Sequence, residues 1–131
     1  VSKAYAGGVP MGGNLAGPAK GSSAPEFLVM AQKDSLAANL QRVQMVKAWV
    51  EDGKSMELVT DIACSDGLSP DAKSGRCPDN GAQVNLKDCS RTANVGASEL
   101  KALWQDPDFT PGQEAFYYVP QIPLKSYSLR P

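Results

Sequence analysis

The chain has 131 residues, which is the length of one ordinary domain. It carries 13 Lys+Arg and 14 Asp+Glu, and this near balance argues against broad electrostatic binding to nucleic acid or to an anionic membrane. The sequence contains no histidine, so no His-based triad, metal site or acid–base pair can be built from this chain alone. Its 12 Gly and 10 Pro indicate that much of the chain is turn or loop.

Residues 1–25 are predicted to form an extended Gly/Pro-rich arm, because they hold few large apolar side chains and cannot bury enough surface to fold alone. Within this arm, residues 7–15 (GGVPMGGNL) have the character of a ligand-binding loop, whose candidate residues are Met11, Gly12, Gly13 and Asn14. The segment matches neither the Walker phosphate-binding loop nor the dinucleotide fingerprint. An arm that binds no ligand is therefore the favoured alternative.

A β-rich domain is predicted over residues 26–131. Glu26 to Gln32 has the length and apolar character of a strand. Two longer apolar segments, 40–50 and 56–64, flank an Asp-Gly pair, which predicts a β-hairpin. Helical spacing leaves a helix over 36–50 as an alternative, and it rests on Leu36, Leu40, Val43 and Val50. The poor helix formers in that stretch favour the strand only slightly.

A long loop is predicted at about 65–96, where Asp, Gly, Pro, Asn and Ser are frequent. Its carboxylates and amides are oxygen ligands suited to calcium, but the EF-hand pattern is missing, so a solvated loop is preferred and no metal site is predicted. Cys64, Cys77 and Cys89 lack the C-x-x-C spacing of zinc and redox sites. They are either three reduced thiols or part of a disulfide; a Cys77–Cys89 bridge would close a loop of about 13 residues, worth roughly 3 kcal/mol.

The segment from Asp106 to Gly112 is dense in turn residues, and Ala115 to Ile122 has strand character with Pro120 at an edge or a bulge. This combination is similar to the corner and following strand of immunoglobulin-like sandwiches, in which a Tyr hydroxyl bonds to backbone. Tyr117 or Tyr118 would supply the hydroxyl, and Trp49 would fill the core. The predicted fold is mainly β: an antiparallel sheet or immunoglobulin-like sandwich with long irregular loops and an extended N-terminal Gly-rich arm.

Several segments together resemble one bacterial family of uncharacterised proteins, the domain of unknown function 3604, and specifically its C-terminal part. They are GVPMGGNL (8–15), NLQRVQMVKAW (39–49), DIACSDG (61–67), RCPDNGAQVNLKDCS (76–90) and GASELKALWQDPDFTPGQEAFYYV (96–119). The chain departs from the family pattern at Asn14, where relatives commonly have Asp, and at 122–127, where relatives often carry a fourth cysteine. One cysteine of this chain is therefore expected to lack its partner.

The resemblance implies a longer protein that is exported to the periplasm or secreted, and an oxidising compartment favours a disulfide among Cys64, Cys77 and Cys89. It also implies an upstream part similar to the metal-dependent phosphoesterases of the polymerase-and-histidinol-phosphatase type. A divalent metal would then bind upstream, and no cofactor is expected in this chain.

Two functions follow from these observations. In the first, the chain is the C-terminal β-rich portion of an exported hydrolase-like protein and packs on its upstream domain, with the 8–15 loop reaching the rim of the active site. In the second, it is a non-catalytic secreted or periplasmic subunit that binds a separate partner chain or a second copy. Neither hypothesis expects nucleic acid or a membrane as partner. Whether the protein is an enzyme stays open, because no catalytic constellation can be assembled from these residues.

Overall fold

The computed structural model describes residues 6–15 and 24–123, and that part of the chain forms six β-strands. They are β1 (Glu26–Gln32), β2 (Leu40–Glu51), β3 (Lys54–Cys64), β4 (Glu99–Gln105), β5 (Ala115–Tyr118) and β6 (Gln121–Pro123). β1 pairs with β4 in a two-stranded sheet, whereas β2 pairs with β3 and with both β5 and β6 in a four-stranded sheet. All these pairings are antiparallel, which confirms the mainly β fold.

The β2–β3 hairpin confirms the Asp-Gly prediction and excludes a helix over 40–50. Asp52 and Gly53 connect the strands with φ values of 50° and 75°, and two positive φ values are what a type I′ turn requires. This turn matches the twist of the strands it joins, and Glu51 pairs with Lys54 directly beside it. The burial of β2 does not follow a strict period of two, because Met45, Val46 and Lys47 are all buried and the register shifts after Val43.

The core lies between the two sheets. β1, β2 and β4 contribute its buried cluster, which consists of Ala31, Leu40, Val43 and Leu100. Further along the same interface the Phe27 ring lies 4.7 Å from the Tyr117 ring and 5.8 Å from the Trp104 ring. The aromatic contacts join β1, β4 and β5, so the inner faces of both sheets are held by one continuous apolar layer.

Strand β4 was not predicted from the sequence. Its inward residues are Leu100, Ala102 and Trp104, but Leu103 lies on the outward side and is 70% exposed, which obscures the alternation of apolar and polar residues. β4 is placed by its seven-residue pairing with β1, and the two strands are far apart in the chain. A non-local pairing of this kind cannot be deduced from a local pattern.

Two details of the immunoglobulin-like prediction were wrong. The Tyr117 hydroxyl donates to the Asp106 carboxylate at 2.7 Å and not to a backbone carbonyl, since a buried carboxylate lies closer to it. Trp49 is only half-buried, and its indole N–H donates to Glu51 at 3.1 Å. The immunoglobulin-like sandwich itself is not confirmed.

The remaining segments are irregular. β5 and β6 are separated at Pro120, which lacks the N–H that a continuous strand needs. The segment 65–98 connects β3 to β4 and contains the isolated bridge between Val84 and Arg91. The predicted arm falls partly on 1–5 and 16–23, outside the described residues, so the division at 25/26 stays a prediction. Within the described ranges, no helix is long and apolar enough to cross a membrane.

Candidate functional site

The four loop residues singled out from the sequence lie in or directly after one exposed turn. The Gly13 N–H donates to the Pro10 carbonyl at 2.9 Å, and Gly12 between them has a φ of 86°. A positive φ at the third position of a β-turn is the geometry that favours glycine. The turn presents Met11 at its tip with 90% of the residue exposed, so it displays a side chain and encloses no pocket of its own.

Gly12 and Gly13 are needed for different reasons. A Cβ on Gly12 would meet open space, so its requirement is the backbone conformation alone. A Cβ on Gly13 would lie 3.0 Å from the Pro10 carbonyl oxygen, so the turn would have to shift by a few tenths of an ångström to accept a side chain. Asn14 follows the turn and is exposed. Within the described ranges, no hydrogen bond joins residues 8–15 to either sheet.

The cysteines pair differently from the bridge considered in the sequence analysis. Cys64, at the end of β3, is bonded to Cys77, 13 residues further along the chain, whereas Cys89 is free and exposed. The reason is the placement of Cys77. Its N–H donates to the Asp61 carboxylate at 2.7 Å, and this hydrogen bond holds Cys77 at the end of β3 beside Cys64. The disulfide therefore fastens the long loop to the sheet, and the odd cysteine is Cys89.

Asp61 is the centre of a buried polar network beside this disulfide. Gln44 donates to its carboxylate at 2.6 Å, Arg42 donates at 3.2 Å, and the Arg76 guanidinium lies 3.6 Å away. Burial raises the pKa of Asp61, but the hydrogen bonds from Cys77, Gln44 and Arg42 outweigh it and hold the pKa below 3.8. The carboxylate therefore stays ionised and binds β2, β3 and the loop together.

A second buried network joins β2 to the turn after β4. The Lys47 ammonium is 2.6 Å from the Asp106 carboxylate and donates to the Asp108 carbonyl at 2.8 Å. Burial raises the pKa of Asp106, but hydrogen bonds from Lys47 and from Tyr117 lower it by more. Burial and the neighbouring carboxylate raise the pKa of Tyr117, so its hydroxyl keeps the proton that it donates.

A third cluster closes the start of the long loop. The buried Ser65 hydroxyl donates to Asp66 at 2.7 Å, and the Asn80 amide donates to both residues. The Gly96 N–H also donates to Asp66, whose φ of 58° turns its carboxylate toward the far end of the loop. The serine hydroxyl donates its hydrogen bond directly to a carboxylate, without a histidine or lysine base between them. The cluster therefore holds the two ends of the loop together and does not have the arrangement of an activated nucleophilic serine.

These three networks are the polar features that the sequence analysis missed. Lys47 lies on the buried face of β2, and its position between the apolar residues 45–46 and 48–50 was the available signal. Asp61 alternates with the apolar residues of β3 as a solvent-exposed residue would, so the local pattern did not indicate that it is buried. Asp106 was expected at a turn, and it does begin the turn after β4, but it is also buried with two side-chain partners. In the described part of the chain, no three Cys, Asp or Glu side chains are grouped to hold a metal ion.

In the described residues, the buried charged side chains join strands to loops through ion pairs and hydrogen bonds. The family profile for the protein of unknown function DUF3604 matches residues 1–129. The chain therefore belongs to the DUF3604 family, which confirms the resemblance drawn from the sequence. No curated protein and no solved structure matches the chain.

Proposed function

We propose that this chain is a non-catalytic β-rich portion of an exported protein and packs on a second domain of the same polypeptide. The domain expected from the family resemblance is an upstream metal-dependent hydrolase of the phosphoesterase type. The observation that carries the proposal is an exposed apolar patch on the outer side of the β1–β4 sheet. It consists of Leu28, Met30 and Leu103, which are 41%, 57% and 70% exposed.

The patch is one continuous surface. Leu28 pairs directly with Leu103, and Met30 is next on the same side of β1. The opposite side of this sheet faces the core. The two strands therefore carry large apolar side chains on both faces, and only the core-facing side is covered. Contiguous exposed apolar side chains of this kind mark interaction surfaces in folded proteins.

The size of the surface favours a partner in the same polypeptide. β1 and β4 direct eight residues outward, whereas a stable interface between separate proteins uses about 20–30 residues a side. A covalent link supplies an effective concentration in the millimolar range, so a smaller contact is sufficient. The segment before β1 is tied to this sheet, since the Gln105 amide donates to the Ala24 carbonyl at 2.8 Å. The chain thus enters the domain beside the patch.

Two further features support the proposal. The Cys64–Cys77 disulfide fits an oxidising compartment, as an exported protein would meet. The exposed turn at Met11 precedes β1 in the chain and would lie on the side of an upstream domain, where it could line the rim of the active site. In this arrangement catalysis belongs to the upstream domain, and this chain supplies rigidity and a rim loop.

The test compares the native polypeptide with the isolated 131-residue chain. Intact mass comes first: a mass above that of the chain alone supports the proposal, whereas a mass equal to it favours a separate binding or structural subunit. In the longer protein we expect bound divalent metal and hydrolysis of bis(p-nitrophenyl) phosphate, and in the isolated chain neither. Hydrogen exchange at 26–32 and 99–105 should be slower in the longer protein.

Matched variants locate the contact. Leu28→Ser with Leu103→Ser should restore fast exchange at both strands in the longer protein, and Leu86→Ser, at an 81% exposed loop position, should not. Equal exchange of β1 and β4 in the longer protein and in the isolated chain would rule out packing at this patch.

A further inference from the structure

A second exposed apolar surface lies on the opposite side of the molecule, on the outer face of the four-stranded sheet. Ala48 of β2 pairs with Phe116 on one side and with Glu57 on the other, so these three side chains form one row across the sheet. Val46, Tyr118 and Val59 form the next row in the same way, although Val46 itself is buried. We call the two rows, together with Val50, the aromatic face.

The aromatic face is open to solvent where it meets the hairpin. Phe116 is 65% exposed, Val50 is 67% exposed and Tyr118 is 40% exposed. The rings of Phe116 and Tyr118 lie 5.7 Å apart at a tilted angle, so they form one shelf. An open cleft of about 650 Å³ continues this shelf at the hairpin end, and its lining includes Val50, Ser55, Gln113 and Glu114.

Two exposed carboxylates lie beside the open part of the aromatic face. Glu57 is exposed at one end of the central row, and Glu114, also exposed, precedes β5 beside the cleft. The cations at the far end of the same face, Arg42 and Arg76, are both held within 3.6 Å of the buried Asp61. The apolar shelf is therefore framed by carboxylates whose charge is not compensated by those two arginines.

We propose that the aromatic face is a docking surface for an extended protein segment in which apolar side chains alternate with Lys or Arg. The shelf would receive the apolar side chains, and Glu57 and Glu114 would pair with the flanking cations. Charge complementarity is what selects this partner: an acidic segment would be repelled, and a neutral one would leave the two carboxylates desolvated without a counter-charge. The proposal is independent of the upstream domain, which contacts the other sheet.

The alternation is also what the geometry of the face requires. Phe116 and Tyr118 lie on successive rows of the sheet, two residues or about 6.8 Å apart along β5, so a strand laid along them presents every second side chain to the shelf. The remaining side chains of such a segment point away from the shelf, and only long, flexible side chains such as Lys and Arg can bend back toward the two carboxylates.

Three fluorescein-labelled peptides of equal length test the proposal by fluorescence anisotropy with the 131-residue chain. One alternates Lys with Leu, the second replaces Lys by Glu, and the third replaces Leu by Ser. We expect saturable binding of the first peptide only. Binding should weaken at least about fivefold in Glu57→Gln/Glu114→Gln and about tenfold in Phe116→Ser, whose side chain is already mostly exposed.

Matched controls separate this surface from the first patch and from general attraction. Leu28→Ser/Leu103→Ser and the exposed Leu86→Ser should bind the Lys/Leu peptide as the parent chain does. Thermal unfolding of each variant checks that the fold is intact. Equal binding of the Glu/Leu peptide, unchanged binding in Glu57→Gln/Glu114→Gln, or no binding at about 1 mM peptide would each overturn the proposal.

Discussion

Lys47 and Asp106 form a buried ion pair that ties the central strand of the larger sheet to the turn after β4. Their charged atoms are 2.6 Å apart, and the Lys and Asp side chains are 4% and 0% exposed. The ammonium also lies 5.4 Å from the centre of the Trp49 ring and 6.0 Å from that of Tyr117. Because the pair is enclosed by aromatic rings and a backbone carbonyl, it fixes the positions of β2, β5 and the turn after β4 relative to one another.

Removing one partner of this pair should be costly. Lys47→Met keeps much of the side-chain volume but leaves the Asp106 carboxylate buried without its cation, so we expect the free energy of unfolding to fall by about 3–5 kcal/mol. Tyr117→Phe removes a single hydrogen bond to the same carboxylate and should cost about 1–2 kcal/mol. Urea titration followed by tryptophan fluorescence measures both. A Lys47→Met chain as stable as the parent would show that the pair contributes nothing.

Asp61 should make stability fall in acid. Burial raises its pKa, but hydrogen bonds from Cys77, Gln44 and Arg42 bring the pKa below the ordinary 3.8, so the native state binds this proton less readily than the unfolded state. Its contribution is complete above about pH 5 and is lost as the pH falls through the unfolded-state and then the folded-state pKa. We expect the free energy of unfolding to decrease between about pH 5 and pH 2, and less steeply in Asp61→Asn.

The matched control for this pH profile is Glu26→Gln, which removes an exposed carboxylate at the start of β1. Its profile should follow that of the parent chain. A parallel profile for Asp61→Asn would contradict the role given to Asp61.

Thiol labelling and peptide mapping should distinguish the disulfide-bonded cysteines from the free one. In the folded chain one thiol, Cys89, should react with a maleimide, and peptide mapping should find Cys64 linked to Cys77. Cys64→Ser/Cys77→Ser should be less stable than the parent by about 2–4 kcal/mol, because the unfolded chain loses a constraint. Cys89→Ser should stay within about 0.5 kcal/mol of the parent. A Cys77–Cys89 peptide in the map would refute the pairing.

The hairpin turn should depend on Gly53 through its backbone. A Cβ at this position would meet no other atom, but the φ of 75° is a conformation that L side chains rarely adopt. Gly53→Ala should therefore destabilise the chain by about 1 kcal/mol, and Asp52→Asn should be nearly neutral, since Asn tolerates the same conformation. Lys54→Ala serves as the control for a change at the turn. Thermal unfolding of the three variants measures their order of stability, in which Gly53→Ala should be the lowest.

Strands that are marked by a pattern of neighbouring residues could be predicted from the sequence. β1 was predicted with its observed bounds, and the Asp-Gly turn located both arms of the hairpin, because turn conformation and strand alternation depend on neighbouring residues. Cys64, Cys77 and Cys89 were recognised as disulfide candidates, but their pairing depended on which loop residue Asp61 holds beside β3. The β1–β4 pairing and the Lys47–Asp106 contact join residues far apart in the chain, so no local pattern contains them.

The sequence by itself determined the mainly β class, the family and the absence of histidine chemistry, since each depends on composition or on the order of residues. Only the tertiary structure decided which charges are buried, which cysteine is free and which apolar side chains stay exposed on each sheet. The physical reason is that burial is a property of the packed sheets. Leu100 and Leu103 are the same residue type on opposite faces of one strand, and packing of the β1–β4 sheet against β2 encloses the first and leaves the second exposed.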